Sequence, residues 1–486
     1  MNAPTTVSQL REFDDLPGPR GVPVFGNLLQ VEASRLHLQL EEWCRVHGPI
    51  FKLRLGPRRI VAVGDHELIA QALRDRPDGF RRTSKLEEVW TELGLKGGLF
   101  GANGDTWRRQ RRMVMAAFDP GSVKRYHPSL QRVALRLVGR WEEAARRGTT
   151  IDLQADLMRY TVDAIAGLAF GADVNTLQSD EDVIQKHLNR IFPAVFKRIF
   201  APLPTWRWFP SAEDKKLASS VIEVNAAVDG FIVEGRKRLQ ANPELRAHPS
   251  NLLEAMLVAA DEPGSGMDDK QVAGNVLIML LAGEDTTANT VAWMIHLLWQ
   301  NPQALARATE EVRRVCADGQ VPDIEQIGQL DYVEACAHET MRLKPVAPQN
   351  AMQALRDTVL GDVHIPAGVV VIGVMRRDAV SEAHIKDAAR FEPERWLSAA
   401  QSGQHGQTAG AAKRISMPFG AGPRICPGRY LALIEMKMAM AMLLGRFDIE
   451  SVGTVDGKEP RELLQLAMAP VGLTMKVRSR LAHIAA

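Results

Sequence analysis

Residues 271–300, QVAGNVLIMLLAGEDTTANTVAWMIHLLWQ, constrain the fold more than any other stretch of the chain. Read as one helix, they span about 45 Å at ~1.5 Å per residue, enough to cross a whole domain. Both ends are apolar around most of the circumference, so the helix must be buried on nearly every side. Its centre, Gly283-Glu284-Asp285-Thr286-Thr287, breaks two local rules. Glycine there costs roughly 1 kcal/mol against alanine, and carboxylates in a core are costly unless paired. Three- and four-residue spacing puts Ala282, Gly283, Thr286 and Thr290 on one face, open to something flat and bulky, with Asp285 beside it. Alone, the segment also fits a kinked core helix whose acids reach solvent.

A buried helix of that length needs a large surround, and the chain of 486 residues supplies one. Helical period recurs over 129–146, 153–168, 212–239, 302–315 and 431–444. FKLRLGPRRIVAVGD alternates on either side of Gly56-Pro57 and predicts a β-hairpin, and 363–374 and 463–477 predict further strand pairs around turns. LPGPRGVPVFGN is extended by its prolines. The stretches 261–266 and 398–412 have the composition of surface loops. The expected class is mainly α with a minor β part, in one domain over 1–486, its β-rich part at 45–75, 350–375 and 463–478.

Net charge is only +2, so nothing global points to nucleic acid. The four cysteines are far apart and form no CxxC, which argues against a disulfide framework or a zinc knuckle and for a reducing compartment. No apolar run reaches the ~18 residues of a membrane span. The start lacks the pattern of a signal peptide. A soluble cytoplasmic protein is expected.

PFGAGPRICPGRY, residues 418–430, sets Cys426 at the mouth of the helical run 431–444. Unpaired N–H groups and the macrodipole at a helix start favour thiolate over thiol. Pro427 suits a first turn. Gly420, Gly422 and Gly428 let backbone approach a large planar partner and take φ values closed to other residues. Phe419 can cover the sulfur, and Arg424 can reach an anion beside it. Such a thiolate is a nucleophile or a metal ligand. No histidine base lies near in sequence, and zinc would need further ligands. Haem iron needs only one protein ligand, with cations for its propionates. A buried free cysteine is the bland alternative, and the glycine pattern argues against it.

In ACAHETMRLKPVAP, Glu339 and Arg342 are neighbours on a helix, and Arg395 of FEPERW can complete a Glu–Arg–Arg cluster that ties two segments together. That role is structural.

The order Trp107-x3-Arg111, AGEDTT, Glu339-x2-Arg342, FEPERW and FGAGPRICPG resembles the cytochrome P450 monooxygenases, from about Leu16 to the C-terminus. The resemblance implies the cytochrome P450 fold, with haem b between the long central helix and the cysteine-loop helix. It implies Cys426 as axial thiolate ligand, with Trp107, Arg111 and Arg424 on the propionates and Phe419 shielding the sulfur. Gly420, Gly422, Gly428 and Ala282 would line the haem slot. Asp285 and Thr286 match the family's acid–alcohol pair for proton delivery in dioxygen activation, and Glu339, Arg342 and Arg395 its structural cluster. Phe100, Val346, Ala347 and Leu466 fall where the family lines its substrate pocket. Where the family often has His-Arg-Asp, this chain has Arg376-Arg377-Asp378.

With no anchor at the start and no reductase behind Cys426, the expectation is a soluble, bacterial-type monomer. It would take electrons from an acidic ferredoxin or flavodoxin with its own reductase. Arg108, Arg112, Lys413, Arg414, Arg429 and Lys437 are the candidate steering charges. The expected reaction is hydroxylation or epoxidation of a lipophilic small molecule, such as a fatty acid, terpenoid or steroid. A peroxide-using or isomerising haem-thiolate enzyme has less need of Asp285 with Thr286. A non-catalytic haem-binding protein would need neither relay nor pocket.

Overall fold

The computed structural model describes residues 10–118, 120–178, 183–201, 203–398 and 409–480. The central helix runs Asp269–Gln300 and starts on a capping box, Asp268 accepting from Lys270 and Gln271 N–H while the Gln271 side chain accepts from the Asp268 N–H. Its sides are covered by Leu153–Phe170, Ala212–Ala241, Leu252–Asp261, Asp331–Leu343 and the cysteine helix, Arg429–Arg446. Burial all round is what its apolar circumference demands. Gly283 explains itself here: a Cβ would lie 2.6 Å from Cδ1 of Ile165 on Leu153–Phe170. It is a packing residue between two helices and not part of an open face, which corrects the expected alignment. Thr290 keeps the Thr286 side of the helix but is not open. It is buried, and its hydroxyl donates to Thr286 O at 2.7 Å.

The β part stands to one side. β1 (Ile50–Leu55) and β2 (Arg58–Val63) form the expected hairpin. A five-stranded sheet continues in the order β1-β2-β8-β5-β3, with β3 Phe80–Arg81, β5 Gln349–Ala354 and β8 Val370–Val374. The segment 363–374 is therefore not a strand pair. β7 (Val363–Ile365) pairs with β6 (Thr358–Leu360), while β8 enters the middle of the large sheet between β2 and β5. Four of the five β8 residues are buried, so its apolar run is the signature of an interior strand. β10 (Arg461–Leu464) and β11 (Met468–Val471) pair as expected. β12 (Leu473–Ser479) pairs with β9 (Phe447–Thr454) and with β4 (Ile151–Asp152).

Two other expectations change. Within 45–75, His66–Arg74 is a helix, capped by Asp65 accepting from Glu67 and Leu68 N–H. Asp378 braces its start, accepting at 2.9 Å from both the His66 backbone N–H and Nδ1. The loop expected over 398–412 gives way to a helix at Ala409–Ser416, and 399–408 lies outside the described residues.

Candidate active site

The cysteine loop folds back on itself before the helix begins. Cys426 N–H donates to Phe419 O at 3.0 Å, and Ala432 N–H donates to Gly428 O at 2.9 Å to start the helix. Gly422 needs to be glycine on two counts: its φ is +69°, and a Cβ would lie 2.5 Å from Leu73 O at the end of His66–Arg74. Gly420 also has positive φ, whereas Gly428, at φ −82°, occupies ordinary space and needs no special backbone freedom.

The thiol of Cys426 is half-buried. Burial pushes its pKa up, against the opposing pull of the Gly428 N–H, Arg111 and Arg429. Helix-start donors are thus present but outweighed, so ionisation has to be driven by whatever binds the sulfur. Among the described residues no group of three metal-ligating side chains includes Cys426, which leaves the zinc alternative without ligands. The charges that act on the thiol are those of Arg111 and Arg429, and an arginine is no general base near neutral pH.

A cation cluster adjoins the thiol. Trp107, on the helix Gly104–Ala117, is buried, and the Arg424 guanidinium sits 4.8 Å from its ring centroid. Arg424 donates to Ala102 O at 2.6 Å while its Nε, buried, has no partner. Burial pushes the pKa of Arg424 down, and repulsion from Arg82 and Arg111 adds to this. Arg82 and Arg76 were not expected here. Arg82 donates to Phe100 O and lies 4.1 Å over the Phe100 ring. Arg76 is buried, with Nε and Nη2 unpartnered. Among the described residues no carboxylate pairs with any of these four arginines, although the chain has nearly as many acids as bases. RDRPDGFRR reads as solvated surface charge, and only folding gathers it against the cysteine loop.

On the central helix, Ala282 is exposed and Asp285 and Thr286 are half-buried, which marks the open side of the helix. The Thr286 hydroxyl donates to Ala282 O at 2.8 Å. Burial lifts the Asp285 carboxyl to about 6. Behind this face the buried Glu435 of the cysteine helix is pushed up to about 8 by burial, Thr287 pulling the other way.

Glu339, Arg342 and Arg395 do come together. Arg342 grips Glu339 bidentately at 2.7 and 2.8 Å, and Arg395 Nε is 3.4 Å from Glu339 Oε1, all three buried. Sequence reasoning missed two neighbours. Trp396 Nε1 donates to Glu339 at 2.9 Å and stacks on His338, whose ring meets Phe419 edge-on at 6.5 Å. The cluster thereby bears on the loop that carries Cys426.

Val346 and Leu466 belong to neighbouring loops, joined where Met468 N–H donates to Val346 O at 2.8 Å. Ala347 is exposed. Phe100 is on the loop that packs against the first half of the central helix, where Leu99 N–H donates to Asn275 Oδ1. Two of the expected steering charges are otherwise engaged. Lys437 is buried on Glu334 at 2.8 Å, and Arg108 pairs with Asp105 and Asp78.

The family model of cytochrome P450 matches residues 16–477. The chain belongs to the cytochrome P450 family. Among curated relatives, the cyclooctat-9-en-7-ol 5-monooxygenase of Streptomyces melanosporofaciens is 28% identical over 437 residues, covering 89% of each chain. The protein LUTEIN DEFICIENT 5 of Arabidopsis thaliana is also 28% identical, over 87% of this chain and 71% of that one. The haem domain of cytochrome P450DA superposes with a TM-score of 0.82 at 25% identity, covering 98% of this chain and 99% of that one. This P450 is therefore a haem-iron monooxygenase with the P450 fold, and haem b is its cofactor. The residues present fit that group: a lone thiol for iron, buried unpartnered guanidinium nitrogens for propionates, and a small exposed alanine on the facing helix. Among the described residues no helix is long and apolar enough to cross a membrane.

Proposed function

We propose that this P450 inserts one atom of dioxygen into a lipophilic small molecule, and that Cys426 would hold the haem iron through its thiolate. Trp107, Arg111, Arg424 and Arg82 would hold the haem propionates, and Phe419 would cover the sulfur. The observation that carries this reading is the thiol of Cys426 under the charge of Arg111, one of a group with Arg76, Arg82 and Arg424 that no carboxylate pairs among the described residues. Haem, when bound, supplies the activation of dioxygen and the attack on an unactivated C–H bond. The chain's own task is to place the substrate and ration protons.

Asp285 and Thr286 are the relay. At pH 7 a free aspartate is almost wholly ionised, but one lifted to about 6 keeps its proton about a tenth of the time. The Thr286 hydroxyl rests on the Ala282 carbonyl. To serve, it releases that carbonyl, accepts at oxygen from the acid side and passes its own proton toward the open face. The apolar surround of the central helix keeps bulk water from supplying protons out of turn.

Phe100, Val346, Ala347 and Leu466 support a hydrophobic substrate, of fatty-acid, terpenoid or steroid character. Arg112, Lys413, Arg414 and Arg429, all exposed, support docking of an acidic ferredoxin or flavodoxin. The four free thiols support a reducing, cytoplasmic setting, and the unit we infer is a monomeric single haem domain. Turnover under labelled dioxygen tests the reaction. One labelled oxygen per product is expected; product formed from peroxide alone, or without dioxygen, would favour the peroxide-using or isomerising alternative.

A further inference from the structure

We propose that Arg76 is an additional anchor for the haem propionates, outside every motif that marks the cofactor site, and that it helps set the iron's reduction potential. The inference rests on the haem-thiolate reading above. Arg76 follows the helix His66–Arg74 and is only 3% exposed, yet its Nε and Nη2 meet no acceptor. The charges that act on it are those of Arg82 and Arg424, and Arg424 in turn feels Arg82 and Arg111. The nearby acids are taken: Asp75 holds Arg356, and Asp78 and Asp105 hold Arg108. A cavity of about 460 Å³ has Arg76, Trp107 and Arg111 on its wall, together with Asp75 and Asp78, the two acids already paired with Arg356 and Arg108.

Arg342 shows what a purely structural buried arginine looks like in the same chain. It bonds Glu339 with two nitrogens and donates to Ala379 O, Ala388 O and Arg390 O. Arg76 has no such set, and a buried cation with open donors is stable only once an anion joins it. Four guanidiniums also outnumber the two carboxylates of haem b. The surplus positive charge favours the iron state that has gained an electron, so Arg76 would raise the potential as well as hold the cofactor.

The test uses the haem-loaded full chain with Arg76→Gln and Arg76→Lys. It measures haem transfer to excess apomyoglobin, the potential by spectroelectrochemistry, and the reduced carbon monoxide spectrum. Arg76→Gln is expected to lose haem about tenfold faster, the scale of one lost charge-assisted bond, with a more negative potential. Arg76→Lys should stay near wild type in potential. Wild-type haem loss and potential in folded Arg76→Gln would overturn the proposal. If Arg76→Gln does not fold, Arg76→Lys decides: a wild-type potential supports the charge role, and a negative shift despite the kept charge overturns it. A thiolate-type carbon monoxide spectrum in the wild type separates this failure from failure of the Cys426 assignment, which would change that spectrum first.

Discussion

Desolvation disfavours the charged form of Asp285 and pushes its carboxyl up to about 6, which in the proposed relay would keep a proton to hand. Proton-limited turnover should therefore fall as pH rises above about 6, approaching tenfold per unit, and Asp285→Asn should flatten that profile at a low rate. The same shift has a stability sign. A folded-state pKa above the unfolded one means stability is fully present at low pH and is lost as pH rises from about 3.8 through about 6. Asp285→Asn should then raise the unfolding free energy at pH 8 by up to about 3 kcal/mol and leave pH 3 unchanged; equal melts at both pH values would contradict the burial argument. Thr286→Ala should keep electron consumption but divert most of it to hydrogen peroxide, whereas Thr286→Ser should stay coupled. Unchanged coupling in the alanine variant would remove Thr286 from the relay.

At the scale of elements, two contacts hold the site's frame. Gly283→Ala gains helix propensity of about 1 kcal/mol but pushes a methyl into Ile165, with an overpacking cost of about 1–3 kcal/mol. The expected result is a lower melting temperature, restored by adding Ile165→Ala. Glu339→Gln leaves buried Arg342 without its anion and Arg395 with Glu392 alone, and should cost about 3–5 kcal/mol, read by thermal or urea unfolding. These elements also show what can be read from a sequence. The central helix, the β1–β2 hairpin and the cysteine helix repeat their periods long enough to be legible. β3 and β4 have two residues each, and β9 buries only Phe447 and Val452, without alternation, so no period exists to find. The pairing of β8 with β2 joins segments some three hundred residues apart, although its other partner, β5, is near in sequence. Cys426, Glu339 and Arg342 are marked by local spacing. Arg76 and Arg82 acquire their meaning only from what folding sets beside them.

At the scale of the whole molecule, charge rather than hydrophobicity distinguishes the proposed electron-donor face. Charge reversal at Lys413, Arg414 or Arg429 should slow reduction by an acidic ferredoxin severalfold at low ionic strength, with the difference shrinking in high salt. Lys437, tied to Glu334 inside the protein, should affect stability and not docking. Everything larger depends on one bond. The most direct measurement is the visible spectrum of the purified protein after dithionite reduction and exposure to carbon monoxide. A Soret band displaced far to the red of histidine-ligated haem, and absent in Cys426→Ala, is the predicted result. A histidine-like or thiol-like band in the folded wild-type protein would contradict the assignment of Cys426.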